Sequence, residues 1–132
     1  MALSSATRGY IGDSAAAVQH GEQGVRLAAL DSRLFWHEGI LAQAHYLNGD
    51  YERALEWVRS ALDRNNRVPF NLRTLIASLA ALGRIDQAAE AARHLLRLLP
   101  AFRLGPYSES CPFERAVLDE WLAHLRSAGL PE

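Results

Sequence analysis

Apolar side chains near the end of the chain recur every three or four residues. Phe113, Val117, Leu118, Trp121, Leu122 and Leu125 fall on one side of a helix. The period predicts an amphipathic helix over residues 113–128, with Gly129 placed to end it. Earlier in the chain a longer pattern occurs twice. Gly49-Asp50-Tyr51-Glu52-Arg53-Ala54-Leu55-Glu56 and Gly83-Arg84-Ile85-Asp86-Gln87-Ala88-Ala89-Glu90 share one order: glycine, polar, large apolar, two polar, alanine, apolar, glutamate. Gly49 to Gly83, Ala54 to Ala88 and Asn66 to Pro100 are each separated by 34 residues. Each unit reads as two antiparallel helices joined by a short turn. Gly49 and Gly83 stand where the first helix stops, a position that favours left-handed backbone. Asp50 and Asp86 stand near the start of the second helix, where a carboxylate satisfies free N–H groups. Ala54 and Ala88 fall where the two helices come closest, with room for a methyl group only. Pro100 ends the second helix, because proline cannot continue it.

A weaker echo precedes these units. Gly12-Asp13-Ser14-Ala15-Ala16-Ala17-Val18 matches the turn and the start of a second helix, but Gly12 lies 37 residues before Gly49. The extra residues fall around Ala29-Leu30-Asp31-Ser32. Residues 13–28 are therefore expected to form the second helix of a unit whose first helix is missing or cut to residues 3–10. Residues 102–112, with Gly105, Pro106 and Pro112, read as an irregular linker.

The 34-residue helix–turn–helix period resembles that of the tetratricopeptide repeat, or TPR. With the turn glycine as the fifteenth position, one repeat spans residues 35–68 and the next 69–102. The first carries Leu41, Ala42, Tyr51, Ala54 and Ala61 at the characteristic places; the second carries Leu75, Ile85, Ala88, Leu95 and Pro100. Departures occur at the fourth position, usually Trp, which is Glu38 and then Leu72. They also occur at the eighth, which is Ile76 in the second repeat, and at the end of the first, which is Asn66. The resemblance implies an all-α fold: a TPR-type right-handed helical solenoid of antiparallel helix pairs with a C-terminal capping helix. One domain is expected over 1–132, comprising a partial repeat at 13–34, repeats at 35–68 and 69–102, and a linker and capping helix at 103–132. The ending His124-Leu125-Arg126-Ser127-Ala128-Gly129-Leu130-Pro131-Glu132 also resembles the C-terminal TPR region of bacterial regulators that carry a nucleotide-cyclase or winged-helix domain. Neither of those domains is present in these residues.

Composition narrows the function. The net charge of −1 offers no basic field for nucleic acid or an anionic membrane. All 14 basic residues are Arg, so Schiff-base chemistry and a phosphate-loop lysine are excluded. Cys111 is the single cysteine, which forbids an internal disulfide and is in keeping with a cytoplasmic location. The first residues lack the charged and apolar regions of a signal peptide, and no apolar run reaches the roughly 20 residues needed to span a bilayer. His37 and His45 lie eight residues apart, roughly 12 Å along a helix, too far to share one ion. Ser60, Ser78 and Ser127 lack a nucleophile elbow. No catalytic residue, metal or cofactor is expected.

What remains is a groove. In TPR arrays the second, fifth, ninth and twelfth positions of the first helices face the concave side. The resemblance places Trp36, Gly39, Gln43 and Tyr46 there in one repeat, and Phe70, Arg73, Ala77 and Ala80 in the next. Trp36, Gln43, Tyr46, Phe70, Arg73 and Ala77 are the expected binding residues, because aromatic and Arg side chains dominate binding hot spots. Only Arg73 could contribute to the carboxylate clamp of chaperone-binding TPRs, which makes a chaperone terminus an unsuitable ligand. The expected function is a protein-interaction module that presents this groove to a peptide or helix of another protein. One alternative is a regulatory or oligomerisation segment of a cyclase-like or transcriptional regulator. A weaker one is a small-molecule sensor. Val18, Val25 and Leu27 of the half-covered helix at 13–28 would be closed by a second copy, giving a homodimer through the N-terminal helices, unless residues 1–11 fold back over them and leave a monomer.

Overall fold

The computed structural model describes residues 14–27 and 33–132. The expected remnant at 3–10, the turn at Gly12 and Asp13, and the insertion around Ala29 to Ser32 lie outside the described residues. Seven helices and no strand occur among the described residues. They are α1 (Ser14–Leu27), α2 (Leu34–Leu47), α3 (Tyr51–Arg64), α4 (Pro69–Ala81), α5 (Ile85–Leu98), α6 (Leu104–Ser110) and α7 (Arg115–Ser127).

The two turns of the repeat share one geometry. Gly49 and Gly83 adopt φ of 81° and 77°. The Gly49 N–H donates to the Tyr46 carbonyl at 2.9 Å and the Asp50 N–H to the His45 carbonyl at 2.9 Å. In the second turn Gly83 donates to Ala80 at 3.0 Å and Arg84 to Leu79 at 2.9 Å. This paired closure satisfies the last carbonyls of α2 and α4, and it needs a residue that tolerates positive φ. Asp50 then caps α3 by accepting the Arg53 N–H at 3.3 Å. Asp86 sits inside the first turn of α5, whose cap position is Arg84 with no side-chain bond. Its charge therefore acts on the helix dipole rather than as a cap.

Burial follows the two kinds of helix. On α3 the buried residues are Ala54, Leu55, Val58 and Ala61, one stripe of an otherwise polar helix. On α5 they are Ala88, Ala91, Ala92 and Leu95. Ala54 and Ala88 are 0% exposed. By contrast α2 is buried continuously from Glu38 to Tyr46, and α4 at Asn71, Leu72, Thr74 and Ile76 to Ala80. A helix apolar around most of its girth must be covered on more than one side. Accordingly α2 is flanked by α1, α3 and α4, and α4 by α2, α3, α5 and α7.

The segment expected to be an irregular linker contains α6. Pro106 is the third residue of that helix, where its missing N–H costs no intrahelical bond. The free N–H groups at the helix start find acceptors at the far end of the segment. Leu104 donates to the Pro131 carbonyl at 2.8 Å and Gly105 to the Glu132 carbonyl at 3.0 Å. The amphipathic helix begins at Arg115, so Phe113 precedes it. Phe113 is still buried and packs edge-on against Trp121, with centroids 5.3 Å apart.

Candidate functional site

The face that α2 and α4 turn towards α7 holds the residues expected to bind a partner. At one end it is closed. Trp121, 0% exposed, packs edge-on against the Tyr46 ring at 5.0 Å. The Tyr46 hydroxyl lies 2.6 Å from His124 Nδ1. The Tyr51 hydroxyl, from the next helix, donates to Glu120 Oε1 at 3.0 Å. Burial drives the Tyr46 phenol far above its ordinary range. Burial also lowers the His124 imidazole, against the opposing pull of Glu120. A neutral phenol and a neutral imidazole therefore meet, and the imidazole tautomer sets which of the two donates. Tyr46 and Ala77 are buried, and α7 occupies this part of the face.

The other end is open. The Trp36 and Phe70 rings lie 5.4 Å apart, and Trp36 is 37% exposed. Beside them is a pocket of about 240 Å³ between α2, α4 and the α6 segment. It is lined by Gln43, Phe70, Arg73, Tyr107, Cys111 and Phe113, among others. The Arg73 guanidinium stacks over the Tyr107 ring, 4.9 Å from its centroid. Tyr107 is fixed in turn by Trp121, whose Nε1–H donates to its hydroxyl at 2.9 Å. Burial pushes the Tyr107 phenol up to about 12, with Arg73 opposing. Gln43 is buried, and its Oε1 has no hydrogen-bond partner. Of the six expected binding residues, Trp36, Gln43, Phe70 and Arg73 thus gather at the open end. Tyr46 and Ala77 lie under cover.

The α6–α7 side of this site, Tyr107, Cys111, Phe113, Trp121 and His124, was absent from the sequence expectation. The available signal was the amphipathic helix itself, whose apolar stripe demands a facing surface. Which surface it takes is a tertiary choice.

Elsewhere, polar groups serve the fold. Glu38, 3% exposed, accepts from Ser60 Oγ and Arg64 Nε, each at 2.6 Å, and so ties α2 to α3. His45 is buried on α2, and burial holds its imidazole below the ordinary value. No group of three or more metal-ligating side chains occurs among the described residues. No helix among them is long and apolar enough to cross a membrane. A second depression, of about 410 Å³, lies between α3 and α5 over Leu72, Leu75 and Leu79 of α4.

The family model described as anaphase-promoting complex, cyclosome, subunit 3 matches residues 15–95, more than half of the chain. The match covers α1 to α4 and most of α5, and leaves out α6 and α7. No curated protein matches the chain.

Proposed function

The chain belongs to the anaphase-promoting complex, cyclosome, subunit 3 family of TPR-like repeats, and on that premise we propose that it is a module that binds a segment of another protein at the open end of its groove. The observation that carries this reading is the cluster of Trp36, Phe70 and Arg73 beside Gln43. A partly exposed Trp on a neighbouring ring, next to an Arg without a carboxylate partner among the described residues, is the kind of surface that dominates binding energy. A peptide-display selection on the immobilised protein tests it. Selected peptides should lose about tenfold or more in affinity against Trp36→Ala and Arg73→Ala, while thermal melts of the two variants stay within a few degrees of the parent. Peptides that bind both variants undiminished would remove the open end as the site.

The regulatory alternative has its own support, since α7 already lies across the closed end of the face. In that reading the ligand of the groove is the protein's own C-terminal segment, within a regulator of the cyclase-like or transcriptional type. A homodimer through the N-terminal helices and a cytoplasmic setting, the latter supported by the single cysteine, belong to the same proposal.

A further inference from the structure

Cys111 is a wall of the open pocket rather than a bystander. Its Sγ lies 3.8 Å from the Tyr107 hydroxyl, and Tyr107 carries the Arg73 guanidinium on its ring. The thiol, the cation and the Gln43 amide therefore line one pocket of about 240 Å³. Three features describe what would fill it. Arg73 has no carboxylate partner among the described residues, and no acidic side chain lines the pocket. Gln43, 4% exposed, leaves its Oε1 without a partner. Turned over, the amide would offer N–H groups instead, so in either orientation a polar ligand completes it. The third feature is a donor for a thiolate. The Cys111 thiol donates to the Tyr107 oxygen, which also accepts the Trp121 N–H; once the sulfur has lost its proton, the Tyr107 O–H is placed to donate to it instead.

We propose that Cys111 is a modification site that exchanges with small carboxylate-bearing, peptide-like disulfides, held by Arg73 and Gln43. The step is thiol–disulfide exchange. The Cys111 thiol loses its proton, and its sulfur attacks one sulfur of the incoming disulfide. A new S–S bond forms as the old one breaks. The departing sulfur leaves as a thiolate and takes up the proton, so a protein mixed disulfide and one free thiol result. Arg73 contributes by pairing with the carboxylate of the attacked half, a charge-assisted contact. The pocket volume corresponds to roughly eight waters, enough for a short acidic fragment of a peptide. Once attached, the fragment occupies the space beside Phe70 and Arg73. This inference stands apart from partner binding, since it is tested without a partner.

The experiment compares two disulfides on the intact protein by mass spectrometry: oxidised glutathione, which bears carboxylates and amides, and bis(2-hydroxyethyl) disulfide, which is neutral. Each rate is divided by that of the unfolded protein in denaturant, which removes the intrinsic reactivity of thiol and reagent. The normalised rate with oxidised glutathione should exceed that with the neutral disulfide by about tenfold. Raising salt should erode that preference. Arg73→Gln should bring the two normalised rates together, and Gln43→Leu should reduce the difference between them. Cys111→Ser should form no adduct. Equal normalised rates for the two reagents, a preference that salt does not erode, or one that survives Arg73→Gln would overturn the proposal. The salt comparison uses the parent protein alone, so it decides the question even if a variant fails to fold.

Discussion

Single residues carry more of this fold than their size suggests. Ala54 and Ala88 stand 34 positions apart, each on the buried stripe of its helix and each fully enclosed. Ala54→Asp or Ala88→Asp would place a carboxylate in an apolar contact and overpack it at once. Each should cost on the order of 3 kcal/mol or more. Thermal melts followed by circular dichroism check this, and parent-like stability in both variants would contradict the close helix approach. Glu38 illustrates the opposite case. It occupies the place where the repeat usually has Trp, yet it is buried and bonded to Ser60 and Arg64. Glu38→Gln keeps the shape but removes the charge from the Arg64 contact. The expected loss is about 1–3 kcal/mol, in the range of hydrogen bonds to charged groups, read as a shift of the denaturation midpoint at constant slope.

At the scale of elements, the informative object is α7. Its residues reach α4 and the aromatic end of α2, so its docking depends on Tyr46, Trp121 and His124 together. That docking has a pH signature. Burial lowers the His124 imidazole in the folded protein, and Glu120 beside it only partly opposes this. The unfolded chain therefore takes up a proton first as pH falls, near the ordinary histidine value of about 6.5. Stability is fully present above that value and is lost as pH falls from there through the lowered folded value. His45 on α2 is shifted in the same direction, by burial against the pull of Asp50 and Glu22. Melting temperatures measured from pH 8 to pH 5 should fall across the lower part of that range. His124→Gln and His45→Gln should each flatten part of the decline. A slope unchanged in both variants would assign the pH dependence to other groups.

At the scale of the whole molecule, the two ends of the helical array differ. The C-terminal end folds back through α6 and α7 and buries Leu104, Trp121, Leu125 and Leu130. At the other end α1 packs on α2, and α1 is where a second copy is expected to add. Light scattering on a sizing column should give twice the chain mass of 14.6 kDa at high micromolar concentration. A mass of one chain throughout the micromolar to millimolar range would exclude the dimer.

The sequence alone determined what is local or periodic. The turns at Gly49 and Gly83 were legible because closing a helix with positive φ leaves glycine as the economical residue. The paired helices were legible because apolar positions recur at helical spacing and again 34 residues later. Trp36, Gln43, Tyr46, Phe70, Arg73 and Ala77 could be assigned to one face from their places in the repeat, but not which end of that face would be covered. Tertiary structure decided the rest. The short α6 was hidden because Gly105 and Pro106 read as a break, and the carbonyls that cap it come from Pro131 and Glu132. The closure over Tyr46 was hidden because an amphipathic stripe states that a helix must be covered, but not by what. Apolar burial is non-directional. The choice of face was made by contacts between distant residues, Tyr46 with His124, Tyr51 with Glu120 and Tyr107 with Trp121, for which no local pattern exists.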